Sequence, residues 1–396
     1  MVSAAAGRGP LRGFMSSDSS SRLHDSVATE APPRGKGARR LHSDESRLRG
    51  ADVVPSVLVP TTFFSPLPHF AAPRLLAAGP RWQPGRASCA VTVGNFDGVH
   101  LGHAAIVARL LEAGRRLGLP TAALTFDPHP ARILRPGAAP AALSTPDRRA
   151  ELLLDLGVDA VLVQPVDRAF LALPAAAFYR EVLRGAVGAA AIVEGPDFRF
   201  GADRQGDLAL LESLAVGDGA EVITVAPLER GGEAVSSSRI RRLISAGEIE
   251  AARGLLTALY RVDGLVVHGQ ARGRTLGFPT ANLEGIATLL PAAGVYAGLA
   301  YPPAPPDGAG GKSRSPYPAA IHIGPNVTFG ATGVTVEVHL IGFDGDLYGQ
   351  RLDVDFLARL RDTRRFESLD DLKAQLATDV ARAAAIGAGF PSSSSG

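Results

Sequence analysis

The first run of this chain that carries chemistry is Gly94-Asn95-Phe96-Asp97-Gly98-Val99-His100-Leu101-Gly102-His103. It follows a strand-like apolar segment, 91–93, and precedes a helix-like segment that ends at residue 117. Small residues let the backbone approach a phosphate closely, and the start of a helix attracts anions. Two imidazoles three residues apart at that helix start can stabilise the charge of a reacting phosphorus. The run therefore predicts a nucleotide-binding turn suited to nucleotidyl transfer.

Around this run, strand-like and helix-like segments alternate. We predict strands at 90–94, 121–126, 159–163, 190–194 and 221–226, and helices at 103–117, 146–156, 175–184, 207–216 and 239–246. Such alternation is typical of βαβ units and predicts a Rossmann-like α/β domain with a doubly wound parallel sheet over residues 88–250. The ligands of such sheets bind outside the carboxyl ends of the strands, which is where Asn95, Asp127 and Asp197 fall.

The pattern changes after residue 250. Short β-rich segments at 261–268, 294–300, 319–324, 334–342 and 351–357 are separated by Gly, Pro, Asn and Asp residues. They predict a small antiparallel β-barrel with a C-terminal helix over residues 251–386, followed by a disordered tail, 387–396. We expect Ser368 and Asp371 to form a capping box at the start of that helix. Its packing stripe is predicted to contain Leu369, Leu372, Leu376 and Val380.

Residues 1–87 are rich in Ser, Pro, Gly and Arg and follow neither a helical nor a strand period. We expect a disordered or overlong N-terminal extension. Acidic residues such as Asp18, Asp25 and Glu30 argue against an organelle transit peptide.

Composition excludes several classes of protein. A net charge of +2 over 396 residues gives no support for nucleic acid or a membrane as a partner. The single cysteine, Cys89, excludes an intramolecular disulfide and a Cys-rich zinc site. No apolar run is long enough to span a bilayer, and we expect a cytoplasmic protein. Because no lysine occurs between Cys89 and Gly311, a Walker A loop is excluded there. The negative charge of a bound phosphate must instead be balanced by His, Arg, backbone N–H groups and a metal ion.

The histidine pair allows three interpretations. His100 and His103 are metal ligands, phosphate-binding cations or structural histidines. A metal site would need a third ligand, for which Asp127 or His129 in a proline-bracketed turn is a candidate. The surrounding glycines and the position of Asp97 favour phosphate binding.

Two further segments are candidates for the same site. The segment 195–201 follows an apolar strand and presents Asp197 and Arg199 between aromatic rings, although an ordinary turn with two buried Phe residues fits the same pattern. The segment 236–241 places hydroxyl groups at a helix start and arginines in its first turn. Because first-turn arginines oppose the helix dipole, we expect a phosphate partner for them.

A second run, Gly273-Arg274-Thr275-Leu276-Gly277-Phe278-Pro279-Thr280-Ala281-Asn282, predicts another site. In an extended segment the side chains of Thr280 and Asn282 project to the same side. Their two neutral oxygens suit Mg²⁺ held jointly with the phosphates of ATP. A turn whose polar residues face water is the alternative.

In their order and spacing, the runs 94–103, 195–201 and 236–241 resemble the FMN adenylyltransferase module of prokaryotic bifunctional riboflavin kinase/FAD synthetases. The resemblance implies catalytic roles for His100 and His103 in binding the phosphates of ATP. It places Asp127, Asp197 and Phe198 at the flavin. It implies further ATP contacts from Gly94, Asn95, Phe96, Gly102, Ser237, Ser238 and Arg241.

The run 273–282 is similar to the Pro-Thr-Ala-Asn motif of the riboflavin kinases, and Gly294-Val295-Tyr296 and Leu347-Tyr348-Gly349 also match that family. The resemblance implies that Gly273 and Thr280 contact ATP, that Thr280 and Asn282 hold Mg²⁺, and that Arg361 contacts the flavin. Glu337 is implied as the base that activates the ribityl hydroxyl group, and its carboxylate should lie on the strand face opposite Val336 and Val338. The segment Pro325-Asn326-Val327-Thr328 departs from the family, since its proline is displaced.

The two resemblances together imply a bifunctional enzyme that phosphorylates riboflavin to FMN and adenylylates FMN to FAD with release of pyrophosphate. ATP and Mg²⁺ serve both steps. One alternative is a nucleotidyltransferase that acts on pantetheine phosphate or a polyol phosphate, which leaves the second domain unexplained. Another is a flavin-binding carrier or regulator without turnover. Such a protein would need neither a general base nor a triphosphate-binding site, and the sequence predicts both.

Overall fold

The computed structural model describes residues 70–82, 88–269, 272–303, 315–325 and 334–390. They belong to one compact unit, Gly50–Gly396. A six-stranded sheet flanked by helices occupies its N-terminal part, and a closed barrel occupies its C-terminal part. Among the described residues, no helix is both long and apolar enough to cross a bilayer.

The sheet of the first part follows the order β1-β4-β3-β2-β5-β6. Strands β2 to β6 run parallel, and β1 pairs antiparallel with β4 at one edge. A separate two-stranded hairpin, β7-β8, follows it. The strands are β1 Arg74–Ala78, β2 Cys89–Val93, β3 Thr121–Asp127, β4 Ala160–Pro165, β5 Ala189–Glu194, β6 Glu221–Thr224, β7 Glu229–Arg230 and β8 Glu233–Ala234.

Helices connect these strands and confirm the predicted alternation. They are α1 Leu101–Leu117, α2 Pro130–Leu134, α3 Pro146–Asp155, α4 Arg168–Leu171, α5 Ala175–Ala177, α6 Leu208–Asp218, α7 Ser237–Ala246 and α8 Ile249–Arg253. The helix predicted at 175–184 is present, but from Phe178 to Ala186 it widens into a π-helix. The doubly wound parallel sheet is confirmed.

The expectation of a disordered segment up to residue 87 is wrong for the described residues 70–82. Strand β1 pairs with β4, and the Gln164 side chain donates to the Ala71 carbonyl at 2.7 Å. Phe70 is buried, with its ring 5.6 Å from that of Phe170. Five strand residues are too few to reveal a period of two, and their partners lie far along the chain. The rest of 1–87 lies outside the described residues.

The barrel closes through the strand order β10-β13-β12-β11-β14-β9, with every pair antiparallel. The sequence predicted five of these strands and missed β10, which has only four residues. The barrel elements are β9 Tyr260–Val267, α9 Arg272–Thr275, β10 Ala281–Glu284, β11 Gly294–Tyr301, β12 Tyr317–Pro325, β13 Val334–Leu340, β14 Arg351–Arg361 and the final helix α10 Leu369–Ala388.

Helix α10 begins as predicted, with Ser368 as its N-cap, but the predicted capping box is only half formed, because Asp371 accepts from the Ser368 hydroxyl group and not from its backbone N–H. The Ser368 hydroxyl accepts from the Asp371 N–H at 3.1 Å and donates to its carboxylate at 2.7 Å. The predicted stripe is wrong at Leu369, which is 68% exposed, because the helix turns its Asp379, Ala383 and Gly387 side toward the barrel. The helix also runs to Ala388, beyond the predicted tail boundary at 387.

The core of the barrel continues onto α7 and α8. Ile240, Ile244 and Ile249 belong to the same buried apolar cluster as the barrel residues Val262 and Phe356. Beside this cluster, the guanidinium group of Arg359 donates to the carbonyls of Ala246 at 2.9 Å and Ala293 at 2.8 Å. Gly247 has a φ of 77°, and a Cβ there would lie 2.8 Å from the Tyr296 hydroxyl oxygen. The segment around the predicted boundary at residue 250 is therefore packed structure.

A buried carboxyl group lies where the pairing of β2 with β5 ends. The pairing extends to Val91 and Ile192, and beyond it the Val93 N–H donates to Glu194 Oε1 at 2.5 Å. The Thr92 hydroxyl also donates to Glu194 Oε1, at 3.4 Å. Burial raises the pKa of Glu194 well above its ordinary value, although both hydrogen bonds act in the opposite direction. At pH values between the ordinary pKa and the raised one, the folded protein therefore holds a proton on Glu194 that the unfolded chain releases.

We predict that Glu194→Gln becomes more stable relative to the wild type as the pH rises from 5 to 8. A carboxyl group whose pKa is raised by folding stabilises the protein below its unfolded pKa, and this stability is lost as the pH rises toward the folded pKa. Glutamine keeps the acceptor for Val93 and does not ionise. Urea denaturation of both proteins at several pH values measures the difference, whose slope is at most about 1.4 kcal/mol per pH unit. Parallel pH profiles would contradict the prediction.

Candidate functional site

The candidate site lies at the carboxyl ends of β2, β3 and β5. The chain passes from β2 to β3 and β4 on one side and returns to place β5 on the other side of β2. Crevices at such reversals of strand order bind ligands in open α/β sheets. The run 94–103 connects β2 to α1 at this point.

The backbone of this run is strained. Phe96 and Val99 have positive φ angles of 46° and 33°, and Gly98 has a φ of 81°. Positive φ is unusual for a residue other than glycine and is a genuine outlier for a β-branched one. Phe96 and Val99 are nonetheless buried in the apolar cluster below α1. Strain of this kind persists only where the surrounding structure imposes it, and it is frequent at functional sites.

His100 and His103 lie together at the start of α1. Their rings stack with centroids 3.6 Å apart. The Nδ1 atom of His100 accepts from the His103 N–H, and the Nδ1 atom of His103 accepts from the His100 N–H, both at 3.3 Å. Since both Nδ1 atoms are acceptors, the neutral rings carry their hydrogens on Nε2. Each ring therefore has an N–H group left for a ligand.

Both imidazoles are neutral near pH 7. Burial lowers the pKa of His100 to about 4, with Asp97 opposing and Arg241 reinforcing the shift. Burial also lowers the pKa of His103 well below its ordinary value, together with the charges of His100 and Arg149. Of the three interpretations of the pair, these shifts favour neutral rings over the cationic form in the free protein. The metal interpretation is not supported either, because within the described ranges no three His, Cys, Asp or Glu residues are grouped to hold a metal ion.

Asp97 is the centre of the hydrogen-bond network around the run, a role that the sequence did not reveal. It is 3% exposed, and its carboxylate accepts from the N–H groups of Leu143 at 2.9 Å and Ser144 at 3.0 Å. Arg241 donates to the same carboxylate, and Arg149 lies 3.7 Å from it. An acidic residue within a glycine-rich turn of a lysine-free region was the only signal in the sequence.

Helix α7 brings part of the predicted nucleotide site to this network. The Ser237 hydroxyl donates to the Asp97 carbonyl at 2.9 Å, and Arg241 Nε donates to the Ala141 carbonyl at 2.7 Å. Ser238 is exposed in the first turn. The arginines of α7 have acidic partners within the protein, so they do not need a phosphate to balance their charge: Arg241 pairs with Asp97, and Arg239 lies 3.0 Å from Glu233.

The other residues predicted for ATP lie along the run. Asn95 has a buried side-chain oxygen, Oδ1, with no hydrogen-bond partner among the described residues, as expected of a group that meets a ligand. Gly94 lies against the Phe96 ring, and a Cβ there would be 3.1 Å from it. At Gly102 a Cβ would be 3.1 Å from both the His100 ring and the Val235 carbonyl. These two glycines therefore allow the histidine and the aromatic ring to lie close to the backbone.

The residues predicted to contact flavin lie at neighbouring strand ends. Asp127 ends β3 and adds to the negative charge around Arg149. Asp197 is exposed in the turn after β5. Phe198, in the same turn, stacks on Phe200 with ring centroids 5.4 Å apart.

The second site lies on the outer face of the barrel. Asn282 in β10 is paired with Glu337 in β13, and Glu337 is paired with His322 in β12. Directly paired residues project from the same face of a sheet. Val336 and Val338 are buried on the inner face, which confirms the predicted side for Glu337. His322 is a neighbour of Glu337 that sequence reasoning missed, because only the register of β12 brings it there.

Thr280 and Asn282 lie against glycine backbone. A Cβ at Gly269 would overlap with the amide group of Asn282, and one at Gly273 would lie 3.4 Å from the Thr280 hydroxyl oxygen. The loop that contains Thr280 is tied to β13 by His339, whose Nδ1 lies 2.7 Å from the Pro279 carbonyl oxygen. The predicted ATP and metal residues of the barrel are thus brought beside the strand that carries Glu337.

Arg361 has a protein partner. Its guanidinium group pairs with the buried carboxylate of Asp379, with Nη2–Oδ2 and Nε–Oδ2 distances of 2.7 and 2.9 Å. Burial lowers the pKa of the nearby His322; Glu337 opposes this shift and Arg361 reinforces it. The flavin contact of Arg361 stays a prediction. Of the departing segment 325–328, the residues 326–328 lie outside the described part of the chain.

Comparison with known proteins identifies both parts. Residues 83–239 match the family described as FAD synthetase, and residues 256–386 match the riboflavin kinase family. The bifunctional riboflavin kinase/FMN adenylyltransferase of Escherichia coli K12 is 36% identical over 297 residues, which cover 75% of this chain and 92% of that protein. The protein of the same name from Pseudomonas fluorescens is 38% identical over 307 residues, or 77% and 95% of the two chains.

A solved structure is similar to this chain over a comparable share of its length. The crystal structure described as a macrolide-efflux protein from Streptococcus pneumoniae has 34% sequence identity and a TM-score of 0.65, and the similarity covers 74% of this chain and 93% of that one. Both family matches and the full-length relatives agree on one pair of activities. The chain therefore belongs to the bifunctional riboflavin kinase/FMN adenylyltransferases, enzymes that phosphorylate riboflavin to FMN and convert FMN to FAD.

Proposed function

We propose that adenylyl transfer takes place over the N-terminus of α1, where His100 and His103 donate their Nε2–H groups to the phosphates of ATP. An oxygen of the FMN phosphate attacks the α-phosphorus, the bond to the bridging oxygen breaks, and pyrophosphate leaves with the bonding electrons. The observation that carries this proposal is the mutual Nδ1 acceptance of the two rings, which aims both Nε2–H groups away from the backbone. Preorganised donors at a helix start stabilise the charge of the transition state.

The proposal extends to the groups around the pair. Asn95 contributes its unpartnered amide oxygen. Gly94 and Gly102 let the Phe96 and His100 rings pack close to the backbone, which shapes the turn for ATP. Ser238 contributes an exposed hydroxyl group at the start of α7. Ser237 and Arg241 act through Asp97, which they hold in place.

For flavin binding at this site we propose the strand ends around β5. Phe198 is partly exposed and stacked on Phe200, so its free face suits the isoalloxazine ring. Asp197 in the same turn accepts hydrogen bonds from the flavin, and Asp127 at the end of β3 accepts from its polar tail.

In the barrel we propose that Glu337 is the general base of the kinase. It accepts the proton of the riboflavin 5′-hydroxyl group while that oxygen attacks the γ-phosphorus and ADP leaves. Support comes from its position between Asn282 and His322 on the outer face. ATP-using enzymes of these families generally need a divalent metal ion, and the hard oxygens of Thr280 and Asn282 fit Mg²⁺. The bound ion would neutralise phosphate charge. Gly273 lets the Phe278 carbonyl pack against the backbone of the loop that carries Thr280, and we propose that this loop contacts ATP.

The substrates follow from the two activities: riboflavin and ATP for the kinase, FMN and ATP for the adenylyltransferase. Arg361 is proposed to face the flavin with the edge of its guanidinium group that Asp379 leaves open. A cytoplasmic location stays a prediction from the sequence.

We predict that His103→Asn lowers the rate of FMN adenylylation by about 10²–10³-fold, because it removes one donor to the transition state. The asparagine oxygen replaces Nδ1 as the acceptor for the His100 N–H, so the start of α1 is retained. His103→Gln, which restores an N–H group near the position of Nε2, is the matched control and should keep more activity. Riboflavin kinase activity should be unchanged in both variants. Full adenylylation by His103→Asn would contradict the proposed role.

We also predict that the imidazole signals of His100 and His103 do not titrate between pH 5.5 and 8 in the free protein. Burial lowers the pKa of His100 to about 4 and that of His103 well below its ordinary value, so both rings stay neutral throughout this range. NMR of protein with labelled histidine, with His103→Asn used to assign the signals, measures this. A midpoint near 6.5 for either ring would contradict this prediction.

Finally, Glu337→Gln is expected to lower the rate of FMN formation by about 10²–10⁴-fold, the usual contribution of a positioned general base. Conversion of FMN to FAD should continue at the wild-type rate. Glu284→Gln makes the same change at an exposed position of the barrel and serves as the control. Chromatography of the flavins after incubation with ATP and Mg²⁺ measures both reactions. Unchanged kinase activity in Glu337→Gln would rule out Glu337 as the general base.

A further inference from the structure

The segment between α8 and β9 is hydrogen-bonded to the start of α1. The Leu101 N–H donates to the Leu255 carbonyl at 2.9 Å, and His100 and Leu256 form an antiparallel bridge. Thr257 donates twice to the Val99 carbonyl, from its N–H at 3.3 Å and from its hydroxyl group at 2.5 Å. Residues 256 and 257 belong to the part of the chain that matches riboflavin kinase, yet they contact the adenylyltransferase loop.

The Val99 carbonyl and the His100 N–H belong to the same peptide group. Its oxygen is held by Thr257, and its N–H donates to Nδ1 of His103. A peptide group is planar, so any rotation that moves the oxygen also moves the N–H. The Thr257 hydroxyl is therefore connected through one rigid unit to the imidazole ring of His103.

This peptide group needs stabilising contacts from other segments of the chain. Val99 has a φ of 33°, a conformation in which a β-branched residue is strained, and the strain is expected to relax if a stabilising contact is removed. Burial of the Val99 side chain keeps it in place on one side. On the other side, the described contacts of its carbonyl are the two hydrogen bonds from Thr257.

We propose that Thr257 is a positioning residue for adenylyl transfer: its hydroxyl group fixes the Val99–His100 peptide and thereby the orientation of the histidine pair. The proposal rests on the proposed function of His100 and His103. It assigns to the kinase-matched half of the chain a residue on which the other reaction depends. Since a small displacement of catalytic groups has a large effect on rate, the effect should appear in kcat more than in KM.

The test compares Thr257→Val, which keeps the shape and removes the hydroxyl group, with Thr257→Ser, which keeps the hydroxyl group. For Thr257→Val we expect the kcat of FMN adenylylation to fall about 10-fold, the effect of one hydrogen bond, with the KM for ATP changed less than about 2-fold. Thr257→Ser should remain within about 2-fold of the wild type. Riboflavin kinase activity, measured in the same samples, should be unaltered in both and reports that the barrel is folded.

Two results would overturn the proposal. One is wild-type adenylylation by Thr257→Val. The other is an equal loss of both activities together with a lower denaturation midpoint, which would mean a purely structural role. If Thr257→Val does not yield folded protein, Thr257→Ala makes the same comparison with Thr257→Ser. His103→Asn in the same assay distinguishes a failure of the Thr257 proposal from a failure of the proposed histidine site. If His103→Asn is inactive while Thr257→Val is normal, only the role of Thr257 is wrong. If His103→Asn is fully active, the histidine site itself is wrong.

Discussion

The buried carboxylate of Asp97 is the interaction on which the first site depends. It connects the strained run 94–103 to the segment that precedes α3, through the N–H groups of Leu143 and Ser144, and to α7 through Arg241. A buried charge of this kind costs free energy unless it is fully paired, and removing one partner leaves the others uncompensated. The position of three separate chain segments thus follows from how one carboxylate meets its hydrogen-bonding requirement.

On the proposed function, the same network explains how a region without lysine binds a triphosphate. Arg241 and Arg149 both face Asp97, and the charge of Asp127 also acts on Arg149, so the two positive charges are balanced within the protein. The groups proposed to face phosphate are neutral: two imidazole N–H groups, backbone N–H groups and the start of α1. Neutral dipoles held rigidly in a partly buried site stabilise developing charge effectively, because they do not have to reorganise during the reaction.

Much of this could be read from the sequence, and the failures have physical reasons. The parallel sheet, the barrel and the faces of β13 follow from local apolar periods, which depend only on neighbouring residues. Strands β1 and β10 were missed because they are short and fall outside the alternation of strands and helices that revealed the equally short β2 and β6. The histidine pair was located, but its neutral state depends on burial, which no local pattern reports. The partners of Asp97, Arg361 and Glu337 depend on the register of distant segments, as the pairing of Glu337 with His322 illustrates.

Helix α7 belongs to both halves of the molecule, and this has a consequence for the evolution of the family. Its first turn completes the Asp97 network, while Ile240 and Ile244 lie in the apolar cluster of the barrel. If the two catalytic units were separated into two genes, the first product would expose these side chains to water, at a cost of about 25 cal/mol for each Å² uncovered. A separate first unit would therefore be less stable unless these two side chains were replaced or covered in another way.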